Sequence, residues 1–262
     1  MIRLPVETLA QRAQRMAASY EVVLPEGPGP FPVVVMLHGC GRPDGPQPYY
    51  VRAAQAAGIA SIVVDSFAPR QIDIIQAASL VCTGMRLWGR ERAGDLLAAL
   101  AFARQQSWAA PDCLGAIGWS HGGWTIMDAL ALTDQIGRHA GISDAGPEAL
   151  AGLRFAFAVY PWCGTGSHTI EKGWQTVVPL TVVIAGRDQV ARPGPIFRAT
   201  ARLVDDGVPV DVVHYPEATH SFDEYNSINP LTVQDPVRRE ETVAHFVRTA
   251  RQHLIGCGPV PA

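Results

Sequence analysis

Apolar residues fall along this chain in two registers. Short unbroken runs rich in Val and Ile alternate with longer stretches whose apolar positions recur at helical spacing. Pro32-Val33-Val34-Val35-Met36-Leu37 is a β-branched run that ends in His38-Gly39, and Ile59–Asp65 is a second. Cys113–Trp119, Phe155–Tyr160, Leu180–Ala185 and Val210–Tyr215 follow in the same style. Such runs predict strands buried on both faces. Helices are predicted between them, over 49–57, 91–106, 122–132, 196–204 and 237–254. In 91–106, Leu96, Leu97, Leu100 and Phe102 form a stripe, and Glu91 lies near the favourable N-terminal end. Six apolar strands with interleaved helices imply right-handed crossovers and an α/β fold: a mainly parallel, twisted sheet with helices on both faces. Ser19–Leu24 adds an edge strand before the Pro/Gly-rich stretch 25–32. One domain over 1–262 accommodates the pattern, with 1–18 as an N-terminal helical extension. Ligands bind such sheets outside the carboxyl ends of the strands.

The sharpest local signal lies at one of those ends. Gly118-Trp119-Ser120-His121-Gly122 is a G-x-S-x-G sequence that follows a predicted strand and opens a predicted helix. That is the setting of a nucleophile elbow, a strained turn that lifts a serine hydroxyl above the sheet. Gly118 and Gly122 suit it because side chains would collide across so tight a turn. A serine hydroxyl needs a base, and the base needs an orienting group. The expected order is Ser…Asp/Glu…His. Asp188 follows the strand ending at Ala185, and His220 follows the strand ending at Tyr215. Ser120, Asp188 and His220 are thus the candidate catalytic residues, with Asp188 holding the His220 tautomer. His214 lies within a strand run, His245 and His253 on the last helix, and His139 and His168 in loops without partners. For the acid, Asp144, Asp205 and Glu217 do not directly follow a strand. The oxyanion of a tetrahedral intermediate needs two donors. The His121 N–H is one; the loop His38-Gly39-Cys40-Gly41 offers the other, Cys40 first and Gly41 second. Cys40 as nucleophile lacks an elbow.

Composition narrows the partners. Net charge is -3, with 21 Lys plus Arg against 24 Asp plus Glu. That balance provides no footprint for nucleic acid, and no basic run marks an anionic membrane. No stretch has the length of a membrane span. Five scattered cysteines, none in a CxxC pair, suggest neither a metal site nor a disulfide framework. They read as free thiols of a cytoplasmic protein, an exported form staying open if a leader has been removed.

The ordered set Leu37-His38-Gly39-Cys40-Gly41, Val64-Asp65-Ser66-Phe67, Arg92-Ala93-Gly94-Asp95, Gly118–Gly123, Tyr160-Pro161, Gly186-Arg187-Asp188 and Thr219-His220-Ser221-Phe222 resembles the α/β-hydrolase superfamily, specifically its dienelactone hydrolase-like group. The resemblance implies hydrolysis of small esters or lactones through an acyl-enzyme, with no metal and no organic cofactor. One departure matters: the dienelactone hydrolases proper use cysteine where this chain has Ser120, which favours a serine carboxylesterase-like member. A serine peptidase or amidase of the same fold, and a non-catalytic binding protein on it, are the alternative readings. The stretch 161–177 is too short for a large helical lid, so an open site for short substrates is expected. Trp119, Phe222 and Trp162 are candidate wall residues. Oligomeric state is not legible.

Overall fold

The apolar runs form the strands of one seven-stranded sheet. A computed structural model describes residues 6–41, 45–174, 176–225, 227 and 229–257. In chain order the elements are α1 (Leu9–Met16), β1 (Tyr20–Val23), β2 (Phe31–Leu37), α2 (Gln47–Ala56), β3 (Ala60–Val64) and α3 (Ile74–Gln76), which continues as a π-helical turn over Ala77–Val81. Then come α4 (Gly89–Arg104), β4 (Ala109–Trp119), α5 (His121–Ala131), α6 (Ile136–Ala140), β5 (Leu153–Val159) and α7 (Thr169–Lys172). β6 (Leu180–Ala185), α8 (Pro193–Asp205), β7 (Val210–Tyr215) and α9 (Pro236–Leu254) complete the series.

Strand order is β1-β3-β2-β4-β5-β6-β7. β1 pairs antiparallel with β3 at one edge, and the other neighbours are parallel. The chain therefore steps outward from β2 to β3, then returns to the far side of β2 as β4. That reversal opens a crevice between the carboxyl ends of β2 and β4, where doubly wound sheets bind ligands. In register, Leu37 faces Gly118.

Alternation along the buried strands feeds two cores. Val33, Val35 and Leu37 point to one face, with Met16, Leu96, Ile126 and Leu203 from α1, α4, α5 and α8. Val34 and Met36 point to the other, with Tyr50 of α2 and Phe246 of α9. The N-terminal segment is bound into the first core: Arg12 is buried and donates from Nη1 to Asp95 Oδ1 of α4 at 3.0 Å. Arg70 donates to the same carboxylate at 2.8 and 2.9 Å. Burial alone would raise the Asp95 pKa, but Arg70 and Arg12 outweigh it and hold the carboxyl down at about 2. Residues 1–5 of the expected extension lie outside the described residues. Among the described residues, no helix is long and apolar enough to cross a membrane.

The expectation of free thiols is overturned. Cys40 is bonded to Cys82, and Cys113 to Cys257, leaving Cys163 as the free, buried thiol. The partners stand 42 and 144 residues apart in sequence, so only the fold brings them together.

Candidate active site

The turn from β4 into α5 holds Ser120 at φ 50°, ψ -108°, an energetically costly conformation for a residue with a Cβ. Close packing imposes it. A Cβ at Gly118 would lie 2.4 Å from the Gly122 carbonyl, and one at Gly122 would lie 2.0 Å from the Leu37 carbonyl oxygen. Both positions must be bare for α5 to start where it does.

His220 stands in the loop after β7 and Asp188 in the loop after β6. The Ser120 hydroxyl donates to His220 Nε2 at 3.0 Å, and His220 Nδ1–H donates to Asp188 Oδ2 at 2.6 Å. The other Asp188 oxygen accepts the N–H groups of Val190 and Ala191 at 2.8 and 2.7 Å. All three side chains are buried to 7% exposure or less, so the chain of hydrogen bonds is shielded from competing water. The structure thus brings together the three residues singled out from the sequence.

The rest of the site rests on a buried polar frame that the sequence did not reveal. Arg92, wholly buried on α4, donates from Nη1 to the His38 carbonyl at 2.7 Å and from Nε to Ser66 Oγ at 2.8 Å. His38 in turn donates from Nδ1 to the Gly39 carbonyl at 2.5 Å and accepts the Ser66 N–H at 3.2 Å. These bonds fix the loop after β2. The His121 ring also faces this frame: Nδ1 accepts from Arg92 at 3.1 Å and Nε2–H donates to the Leu87 carbonyl at 2.7 Å. Burial and the Arg92 charge push its pKa down to about 3, so the ring stays neutral and is not a base for Ser120. Its backbone is another matter. Among the described residues, the N–H groups of Cys40 and His121 have no protein acceptor.

Asp223 anchors the histidine loop from beneath. Its carboxylate accepts from Tyr160 Oη at 2.6 Å, Tyr50 Oη at 2.8 Å and Trp119 Nε1 at 3.2 Å. Burial pushes the Asp223 pKa up despite these donors. Tyr160 packs its ring against His220 at 4.8 Å. Trp119, expected as a wall, is 1% exposed and spends its N–H on Asp223, although it reaches the cavity beside His220. Phe222 is corrected more fully: it packs between Tyr160 and Tyr215 and lines neither cavity beside Ser120. Trp162 does line one of them, together with Trp88 and Trp124. Among the described residues, the stretch after β5 carries the short α7 and no larger helix, as expected without a large lid. Cover comes instead from the segment after β3, tied over the site by the Cys40–Cys82 bridge.

The Prolyl oligopeptidase family model matches residues 80–147, which span α4, the elbow and α5. No curated protein sequence matches the chain. Among solved structures, esterase 2 of Thermogutta terrifontis, phosphorylated by paraoxon, is similar with a TM-score of 0.66 and 13% identity over 92% of this chain and 90% of that one. The same esterase with propionate bound gives a TM-score of 0.64 and 13% identity, covering 91% of each chain. A protein assigned as a dienelactone hydrolase from Klebsiella pneumoniae gives a TM-score of 0.62 and 14% identity over 89% of this chain and 99% of that one. The fold is that of the α/β-hydrolases. The loops after β2, β4, β6 and β7 all leave the carboxyl edge of the sheet, and they carry Cys40, Ser120, Asp188 and His220.

Proposed function

We propose that the protein is a serine hydrolase of small carboxylic esters or lactones, with Ser120 as nucleophile, His220 as general base and acid, and Asp188 as the orienting carboxylate. The observation that carries this reading is the buried hydrogen-bond chain Ser120–His220–Asp188, at 3.0 and 2.6 Å. His220 Nε2 takes the hydroxyl proton as Ser120 Oγ attacks the acyl carbon, and Asp188 stabilises the imidazolium that forms. Negative charge develops on the acyl oxygen, and the N–H groups of Cys40 and His121, which have no protein acceptor among the described residues, receive it. On collapse, the proton passes from His220 to the leaving oxygen. Water then repeats the sequence on the acyl-enzyme and releases the acid.

Peptide hydrolysis is the second reading, favoured by the Prolyl oligopeptidase match. Amide and ester substrates of equal acyl group separate the two. The test of the main reading is hydrolysis of p-nitrophenyl acetate by the wild type and Ser120→Ala: we expect a loss of at least ~100-fold. Equal rates would remove Ser120 from its role. The two disulfides support an oxidising compartment as the working place, in preference to the cytoplasm.

A further inference from the structure

Ser120 lies between two cavities that share Cys40, Cys82 and Val190 as a common wall. Their linings differ. The cavity on the His220 side, about 200 Å³, is rimmed by the polar groups of Ser221, Glu224, Ser227 and Asn229. The other, about 150 Å³, lies beside His121 and is walled by Trp88, Trp124 and Trp162.

The three indoles are held by a repeated device. Each lies against a glycine whose bare Cα leaves room for the ring. A Cβ on Gly89 would lie 2.7 Å from the Trp124 ring, one on Gly164 2.5 Å from Trp162, and one on Gly166 2.2 Å from Trp88. Trp88 and Trp124 stand 6.0 Å apart between ring centroids, inclined at 53°. The Arg90 guanidinium covers Trp88 at 4.2 Å from its centroid, and His121 meets Trp124 edge-on at 5.2 Å. The aromatic wall is therefore packed into place rather than formed from loose surface rings.

We propose that this lobe takes the acyl part of an aromatic carboxylic ester, such as a benzoyl or cinnamoyl group, while the polar lobe takes the alcohol. The proposal rests on the serine-hydrolase reading and gives it a substrate class. Proton transfer decides which lobe holds which part. His220 Nε2 must deliver its proton to the leaving oxygen, so the alcohol departs on the His220 side. The remaining substituent of the acyl carbon then points toward His121 and the indoles. Ser120 Oγ bonds to that carbon as its proton moves to His220. The acyl carbon–alcohol oxygen bond breaks as the proton moves on, and water releases the aromatic acid. Size agrees: an apolar cavity of ~150 Å³ accepts a benzene ring. Offset or edge contacts with indoles favour an aromatic ring over an alkyl chain of equal area by up to about 10-fold.

The test uses methyl esters, so that no aromatic leaving group competes for the lobe. Hydrolysis of methyl benzoate, methyl cinnamate and methyl hexanoate is followed by pH-stat, each kcat/KM divided by the ester's own hydroxide-catalysed rate. The wild type should prefer cinnamate to hexanoate by about 10-fold. Trp88→Ala should erase most of that ratio, and Trp162→Leu serves the same purpose if Trp88→Ala does not fold. Benzyl acetate, with its ring on the alcohol side, should gain no such advantage over methyl acetate. A wild-type ratio of one or below, a ratio unchanged in the folded variants, or an equal gain for benzyl acetate would overturn the assignment. If no ester is cleaved, the hydrolase reading itself has failed. The lobe is then judged by quenching of tryptophan fluorescence in Ser120→Ala. Binding of free cinnamate about 10-fold tighter than hexanoate supports it, and equal binding overturns it.

Discussion

Replacing Gly122 by alanine tests the link between elbow packing and chemistry. Gly122 has no positive φ, so the only objection to a side chain there is space. A Cβ would sit 2.0 Å from the Leu37 carbonyl oxygen, 2.7 Å from its carbon and 2.9 Å from the His38 oxygen. Ordinary contact begins near 3.4 Å, so the start of α5 and the end of β2 must part by about 1.4 Å. The two proposed oxyanion donors, Cys40 N–H and His121 N–H, sit on opposite sides of that gap. Losing one such donor costs ~2.7–4 kcal/mol in the transition state, or ~10²–10³ in kcat. Overpacking itself costs about 1–3 kcal/mol of stability, worth roughly 2–4 °C in Tm per kcal/mol at this chain length. The assay is kcat on p-nitrophenyl acetate beside thermal unfolding. Gly194→Ala on α8 is the control for adding a side chain away from the site, since its Cβ meets nothing closer than 3.7 Å. The expected result is a fall in kcat far larger than the modest loss of Tm explains. A Gly122→Ala enzyme within about threefold of wild-type kcat would mean that the contact between α5 and the end of β2 does not set the spacing of the two donors.

Three further outcomes follow from the buried groups. Thiol titration of unreduced, denatured protein should find one free thiol, Cys163, and five after reduction; five at the outset would contradict both bridges. Asp223→Ala should cost about 3 kcal/mol or more in denaturant unfolding, because it strands the donors of Tyr50, Tyr160 and Trp119; a loss under about 1 kcal/mol would contradict that. Asp128 is buried, which raises its pKa from 3.8 to about 7 despite the His168 N–H that it accepts. Between those values the unfolded chain releases a proton that the folded chain keeps, so this group destabilises the fold increasingly as pH rises. Asp128→Asn should therefore gain on the wild type between pH 4 and 8, whereas a pH-independent difference in unfolding free energy would contradict the buried carboxyl.

The inner strands were legible because parallel strands buried on both faces must be apolar throughout, and the runs ending at Leu37, Trp119 and Ala185 are such strands; the run ending at Tyr215 is also a strand, but it lies at the sheet edge and is largely exposed or half-buried, contrary to the expectation of burial on both faces. Their carboxyl ends then located Ser120, Asp188 and His220. What escaped depends on partners distant in sequence. Arg92 looks like an ordinary helix charge until His38 and Ser66 close around it. Asp223 looks like a loop residue until Tyr50, 173 positions away, donates to it. Cysteine spacing is silent about bridges that only the closed sheet creates. Among the aromatics, Trp162 is a cavity wall and Phe222 is core, and no local pattern separates them. Trp88 and Trp124 were missed because a tryptophan at a helix start reads as packing. Their signal was the glycines placed to face them, Gly166 and Gly89, which the sequence pairs only through the fold.

In the proposed mechanism His220, aligned by Asp188, turns one particular hydroxyl into a nucleophile. Treatment with excess paraoxon, followed by mass spectrometry of the intact chain and its peptides, reads this directly. A single diethyl phosphoryl group per chain is expected, on Ser120, with the rate of labelling falling at least ~100-fold in His220→Gln. An unlabelled protein, or one labelled on another residue at a rate indifferent to His220, would contradict it.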